Sequence, residues 1–125
     1  MPEAIPALDT KILAAVEALK ANPKIARGIA TALEESDKAM KEQCEICEIP
    51  APTFEESVRA QEIARRMKLY GLTDVTIDEI GNVVGRRPGK GKGPSLALGA
   101  HMDTVFPAGT DVTVHQEGNR YTAPG

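Results

Sequence analysis

The stretch Ser95-Leu-Ala-Leu-Gly-Ala-His101-Met-Asp103-Thr-Val-Phe-Pro-Ala-Gly109 decides how this chain folds. Its apolar run, Leu96 to Ala100, is too short for a helix and lies between glycine and proline clusters, which predicts a strand buried on both faces. Alternate residues of an extended chain point to the same side. We therefore expect His101 and Asp103 to share one side at the end of this strand.

A carboxylate beside an imidazole has a simple chemical use. Asp103 can accept the ring N–H of His101, which fixes the tautomer and leaves the second nitrogen for a metal ion. Taken alone, however, a His-x-Asp pair is a weak signal, and a hydrogen-bonded loop histidine is the more common explanation. A nucleophile triad is not indicated, because no serine or cysteine lies in an elbow-like turn such as Gly-x-Ser-x-Gly.

Length and charge restrict the classes of function. The chain has 125 residues, the size of one domain, and a net charge of -3, which gives no electrostatic reason to expect a nucleic-acid or membrane partner. It shows neither a secretory leader nor an apolar run of membrane-spanning length. Its two cysteines fall on a predicted helix, and this pattern favours a reducing, cytoplasmic setting over a disulfide scaffold.

The first half of the chain predicts helices. Asp9 can cap a first helix, and Asn22-Pro23 is typical of an N-cap followed by proline at the first helical position. From Pro23 we expect one long amphipathic helix that ends before Ile49-Pro-Ala-Pro52. The predicted apolar stripes are Ile12, Leu13, Val16 and Leu19 on the first helix, and Ile25, Ile29, Leu33, Met40, Cys44 and Cys47 on the second.

A third helix should follow the prolines. Thr53 and Glu56 have the spacing of a capping box, and Gly71 is a typical helix terminator. The predicted core face of this helix consists of Val58, Ile63, Met67 and Tyr70.

The hydrophobic period then changes to two, which indicates strands. Val75–Ile77 and Val83–Val84 predict a hairpin around Gly81-Asn82, and residues 111–115 and 120–122 predict a second one around Gly118. The expected fold class is α/β: N-terminal helices, with one helix covering a mixed β-sheet that follows them, in a partial α/β sandwich.

Other candidate sites are better explained structurally. Cys44 and Cys47 form a C-x-x-C near the end of a helix, where the dipole does not favour a thiolate, so two core-stripe residues are the simpler interpretation. His115 should face solvent, and Arg86–Lys92 should be a solvated loop. Glu55 and Glu56 suit the electropositive start of a helix.

Several of these segments resemble the M20 metallopeptidases. They are Ile49-Pro-Ala-Pro-Thr-Phe-Glu-Glu56, the helix to Gly71, Asp78-Glu-Ile-Gly-Asn-Val-Val84 and Leu96-Ala-Leu-Gly-Ala-His-Met-Asp-Thr-Val105. They occur in the family's order and spacing, over about residues 40–125. This family includes tripeptide aminopeptidases, dipeptidases, carboxypeptidases and aminoacylases. The resemblance implies an N-terminal helical segment (1–48) before the first, truncated part of a catalytic domain (49–125).

The resemblance also implies site roles. His101 matches a ligand of one of two cocatalytic zinc ions, and Asp103 matches the acidic residue that orients this histidine. The full-length enzyme would hydrolyse peptides or N-acyl amino acids and could form a homodimer. The remaining ligands and the general base would lie beyond Gly125, so we expect the isolated chain to be inactive and to bind zinc weakly.

Two interpretations from other classes stay open at this stage. One is a non-catalytic interaction module, in which the long helix from Pro23 pairs with a partner. The other is a redox or zinc module built on the C-x-x-C.

Overall fold

The structure, a computed structural model, describes residues 9–91 and 93–123; Lys92 of the predicted loop lies outside this range. The element order is α1 (Thr10–Ala21), α2 (Pro23–Glu34), α3 (Ser36–Cys47), α4 (Ser57–Leu69), β1 (Thr73–Ile77), β2 (Val83–Arg86), β3 (His115–Glu117) and β4 (Arg120–Thr122). The predicted α/β class, with helices before strands, is confirmed. None of the helices described is both long enough and apolar enough to cross a membrane.

The chain divides into two units, Met1–Lys41 and Glu42–Gly125. In the first unit both predicted caps are confirmed: Asp9 accepts a hydrogen bond from the Lys11 N–H at 2.8 Å, and Asn22 accepts one from the Lys24 N–H at 3.0 Å. All residues from 9 to 41 are exposed, although α1 and α2 are in contact.

The single long helix predicted from Pro23 is wrong, because a turn at Glu35 separates α2 from α3. The sequence at the break, Glu34-Glu35-Ser36-Asp37, explains it. Acidic residues are unfavourable at a helix C-terminus and favourable in a first turn, so they favour ending one helix and starting another. Asp37 accordingly lies in the first turn of α3.

Helix α4 begins at Ser57, so the predicted capping box at Thr53 is wrong. Glu56 does reach back, but it accepts the N–H of Phe54 at 2.8 Å. The hydroxyl of Thr53 bonds to a carboxylate distant in sequence instead. At the other end Gly71 has φ +78, and the N–H of the next residue bonds back to Met67 at 3.0 Å. The predicted helix end is therefore confirmed.

The predicted first hairpin is confirmed, with β1 and β2 antiparallel and Gly81 at φ +93 between them. Asp78 holds the turn because its carboxylate accepts the N–H groups of Ile80 and Asn82 at 3.1 and 2.8 Å. Helix α4 packs on both strands, as expected of the covering helix. The most buried residues of this layer and its surroundings are Ala51, Arg59, Ala60 and Ala64.

The predicted buried strand from Leu96 to Ala100 is wrong. No strand is assigned there, and Leu96 and Leu98 are 83% and 90% exposed. The cause is that no described strand pairs with this segment, so its backbone groups have no ladder to join. Pairing starts only afterwards, at an isolated parallel bridge between Pro52 and Thr104.

The second hairpin is confirmed in shortened form, with β3 and β4 antiparallel. Its first strand begins at His115 and not at Asp111, because the Asp111 carboxylate accepts the N–H of Thr113 at 3.0 Å and turns the chain locally. His115 is exposed, as predicted, and Val112 and Val114 before it are half-buried.

Candidate active site

His101 and Asp103 lie together as the sequence predicts. The ring nitrogen Nδ1 of His101 is 3.0 Å from a carboxylate oxygen of Asp103, and 3.0 Å from the backbone oxygen of the same residue. Both contacts are met if Nδ1 carries the proton, which leaves a lone pair on Nε2. The histidine side chain is 85% exposed, against 33% for the aspartate. Nε2 of His101 therefore lies on an exposed ring, and the aspartate that orients this ring is half-buried.

Thr53 in turn holds the Asp103 side chain in place. Its hydroxyl donates to the second carboxylate oxygen of Asp103 at 2.9 Å. This hydrogen bond first, and the one from His101 second, lower the pKa of Asp103 below its ordinary value. Both hydrogen bonds stabilise the ionised carboxylate, which is the form that accepts them.

Backbone pairing brings the two segments side by side. The N–H of Thr104 donates to the carbonyl of Ala51 at 2.8 Å, and its hydroxyl contacts the same oxygen at 3.2 Å. Ala51 is 1% exposed, so this junction is the best-buried point near the site. The chain from Ala51 to Thr53 thus fixes where Asp103 can be.

Arg59, which the sequence patterns missed, lies beneath this junction. It is 6% exposed, and its guanidinium donates to the carbonyl of Met102 at 2.6 Å, between the histidine and the aspartate. The same group donates to the carbonyl of Ile49 at 3.0 Å and contacts that of Cys47 at 3.4 Å. One buried side chain therefore ties the end of α3 to the site loop.

A signal for Arg59 does exist in the sequence. Arg59, Ile63 and Met67 are four residues apart and lie on one helix face, and all three are buried or half-buried. The hydrophobic pattern favours Val58 as the core position, yet Val58 is 62% exposed. The signal in the sequence was therefore a charged residue, Arg59, at the four-residue spacing of the core positions Ile63 and Met67.

An open cleft of about 1020 Å³ lies beside the pair. His101, Asp103 and Thr53 line it together with apolar residues that include Met67, Ile80 and Leu98. At its rim Phe54 is 95% exposed and has φ +70, in a turn closed by the N–H of Glu55 on the carbonyl of Pro52 at 2.8 Å. A bulky residue rarely adopts this backbone conformation, and such strain is concentrated at functional sites.

Comparison with known proteins adds relatives to this geometry. A protein of Pyrococcus abyssi, provisionally named a LysW-lysine/LysW-ornithine hydrolase, is 38% identical over 69 residues, which is 55% of this chain and 20% of that relative. Proteins of the same name from Pyrococcus furiosus and Thermococcus kodakarensis are each 38% identical over 60 residues, or 48% of this chain. No protein-family model matches the chain.

These relatives are hydrolases by name, and the chain spans about a fifth of the length of the curated relatives it matches. The comparison therefore supports a hydrolase-like sequence over about half of this chain. It does not single out the M20 peptidases within the hydrolases.

The described residues supply only one of the ligands that a metal site needs. Within residues 9–91 and 93–123, no three His, Cys, Asp or Glu side chains are placed to hold an ion together. His101 fits one ligand position through Nε2, with Asp103 oriented behind it in the way that metal-binding histidines usually require. Cys44 and Cys47 are free thiols, the first half-buried and the second exposed.

Proposed function

We propose that this chain is the N-terminal part of a metal-dependent hydrolase of amide or peptide bonds. The observation that carries the proposal is the chain of contacts from Thr53 to Asp103 to His101, which orients an exposed imidazole. The hydrolase names of the relatives support the reaction class, and the M20-like order of motifs supports the metal type.

In this proposal His101 binds zinc through Nε2 and Asp103 is its orienting partner. Zinc, when bound, polarises a carbonyl oxygen and lowers the pKa of a bound water. Thr53 holds the Asp103 carboxylate in place, so the ring presents one nitrogen in one direction. A zinc site needs three or four ligands, and the others would come from protein outside the residues described.

The names of the relatives support a proposal for the substrate class. Their name gives them lysine or ornithine joined to LysW as substrates, so we propose an amide-type substrate that carries a lysine or ornithine group. A cytoplasmic location stays a prediction from the sequence, consistent with two free cysteines. The alternative of a non-catalytic interaction module has no support from relatives that are named as enzymes.

The chain contains its own control for the metal ligand. His101 and His115 are both exposed, but only His101 has a carboxylate at 3.0 Å from its ring. In a Zn²⁺ titration of the 125-residue chain followed by NMR, the His101 ring signals should shift at lower metal concentration than those of His115. Asp103→Asn should weaken zinc binding at His101 by about 10–100-fold.

Two results would contradict the proposal. One is that both histidines respond alike to zinc. The other comes from a longer protein that carries this sequence. There, His101→Ala should abolish hydrolysis of a lysine amide and His115→Ala should not, so activity retained in His101→Ala would exclude the assignment.

A further inference from the structure

The cleft beside His101 contains a second carboxylate that has no part in orienting the histidine. Glu56 lines the same cleft and is half-buried. One of its carboxylate oxygens accepts the N–H of Phe54 at 2.8 Å, and no side chain of the described residues bonds to the other oxygen. Glu56 is therefore a half-buried anion that can still accept a hydrogen bond.

Asp103, the other carboxylate of the cleft, has no such capacity to spare. One of its oxygens accepts the Thr53 hydroxyl, and the other accepts the ring N–H of His101. No lysine or arginine is found among the described residues that line the cleft. A partly buried carboxylate without a cation has lost hydration that nothing returns, so a cation brought by a ligand would be stabilised at Glu56.

The turn that holds Asp103 also holds Glu56. Thr53 and Phe54 follow each other directly, with Cα atoms about 3.8 Å apart. The hydroxyl of Thr53 donates to Asp103, and the N–H of Phe54 donates to Glu56. The strained backbone of Phe54, at φ +70, therefore lies between the two donors that locate the two carboxylates. One turn thus sets the position of Glu56 relative to the His101 site.

We propose that Glu56 binds the side-chain ammonium of a lysine or ornithine group in the substrate and so selects cationic over neutral substrates. The inference rests on the proposed function, in which such a substrate is hydrolysed beside His101. Met67, Ile80 and Leu98 give the cleft apolar walls. The aliphatic stem of a lysine packs on apolar surface while its charged end meets a polar group. An acidic side chain would be rejected by repulsion from Glu56.

An NMR titration of the 125-residue chain tests this subsite without catalysis. The probes are the methylamides of Nα-acetyl-lysine and Nα-acetyl-norleucine, which have the same aliphatic stem with and without the ammonium group. The lysine probe should shift the Phe54 N–H signal at lower concentration than the norleucine probe. Glu56→Gln should weaken binding of the lysine probe by about tenfold, because it removes a charged hydrogen bond. The glutamine oxygen can still accept the Phe54 N–H, so the turn is retained.

Glu55→Gln is the matched control for the binding measurement. Glu55 is the preceding residue and has the same charge, but it is exposed and is not among the residues that line the cleft. Its substitution should leave the affinity for the lysine probe unchanged. Equal weakening in the two variants would overturn the proposal, because the attraction would then be a general one. Equal affinities of the wild type for the two probes, or no shift with the lysine probe, would overturn it as well.

Kinetics of a longer protein that carries this sequence separate the subsite from the proposed function. Glu56→Gln should lower the ratio of kcat/KM for a lysine amide to that for a norleucine amide by about tenfold, whereas His101→Ala should abolish hydrolysis of both. An unchanged ratio in Glu56→Gln, with hydrolysis abolished in His101→Ala, would refute the subsite alone. Hydrolysis that persists in His101→Ala would refute the proposed function, and the binding titration would still decide the role of Glu56.

Discussion

Helices α2 and α4 are nearly equal in length, at 12 and 13 residues, and both have an amphipathic pattern, yet they differ in what covers them. The apolar face of α4 packs on β1 and β2, and it buries Arg59, Ala60 and Ala64. No residue of α2 is buried. The comparison teaches that an apolar stripe does not by itself specify whether, or by what, a helix face is covered.

The two helices also differ in how their charges are used. On α4, Glu62 pairs with Arg65 at 2.7 Å and with Arg66 at 2.6 Å, and Arg66 reaches Glu45 of α3 at 2.8 Å. These ion pairs suit the helix dipole, since the basic residues lie in the last turns. On α2 the order of charges is reversed. Three measurements can break or sharpen this contrast.

The largest effect should come from Arg59→Met. The change leaves three backbone carbonyls near the site without their charged donor, and one of them, on Met102, lies between the two site residues. We expect the unfolding free energy of the Glu42–Gly125 unit to fall by about 3 kcal/mol. Urea unfolding followed by circular dichroism would measure this, and hydrogen exchange of the Thr104 N–H would report the site loop.

The matched control is Arg65→Met, on the same helix. The Arg65 side chain is 61% exposed and bonds to Glu62, so its loss should change stability much less than the loss of Arg59 does. Equal losses in the two variants, or unchanged exchange at Thr104 in Arg59→Met, would show that Arg59 does not hold the loop.

Substitution of two glycines by alanine should have effects of intermediate size on stability. The sign should be opposite on β2 and on α2. A Cβ at Gly85 on β2 would lie 3.0 Å from Leu72 and 3.1 Å from Met67, whereas a Cβ at Gly28 on α2 meets nothing within 4 Å. Gly85→Ala should destabilise the chain by about 1 kcal/mol. Gly28→Ala should stabilise α2 by about 1 kcal/mol through helix propensity.

Thermal unfolding of both variants and of the wild type would measure the two signs. A loss of stability in Gly28→Ala would mean that the face of α2 at Gly28 is packed closely against another part of the protein. No loss in Gly85→Ala would mean that Met67 adjusts freely and that the contact between α4 and the hairpin is loose.

The contrast also explains which parts of the fold the sequence could predict. The caps at Asp9 and Asn22 and the helix end at Gly71 were predictable, because each depends on groups within a few residues. The contact between His101 and Asp103 was predictable for the same reason, since residues two apart on extended chain share a side.

What could not be predicted depends on distant partners. Leu96 to Ala100 has the composition of a buried strand, but composition does not specify whether a neighbouring strand is present to pair with it. Thr53 has the spacing of a helix cap, yet its hydroxyl bonds to Asp103, fifty residues along the chain. Arg59 was missed because a hydrophobic pattern does not register a buried cation.

The smallest effect concerns pH and the ion pairs of α4. Hydrogen bonds from Arg65 first and Arg66 second lower the pKa of Glu62 to about 2, from 4.5. Because the folded-state pKa lies below the unfolded one, the stabilising contribution is complete above about pH 4.5 and is lost as the pH falls toward 2. Glu62→Gln removes the titrating group, so stability should fall less steeply over this window than in the wild type.

Glu17→Gln on α1 is the control for this measurement. It removes a pair whose side chains are 62% and 70% exposed, so solvent screening should make its effect on the pH profile smaller. Urea unfolding at a series of pH values between 2 and 5 would compare the two variants with the wild type. The two variants could instead flatten the pH profile of stability equally. The ion pairs of α4 would then stabilise the chain no more than the pair on α1 does, and α4 would differ from the exposed helices in burial alone.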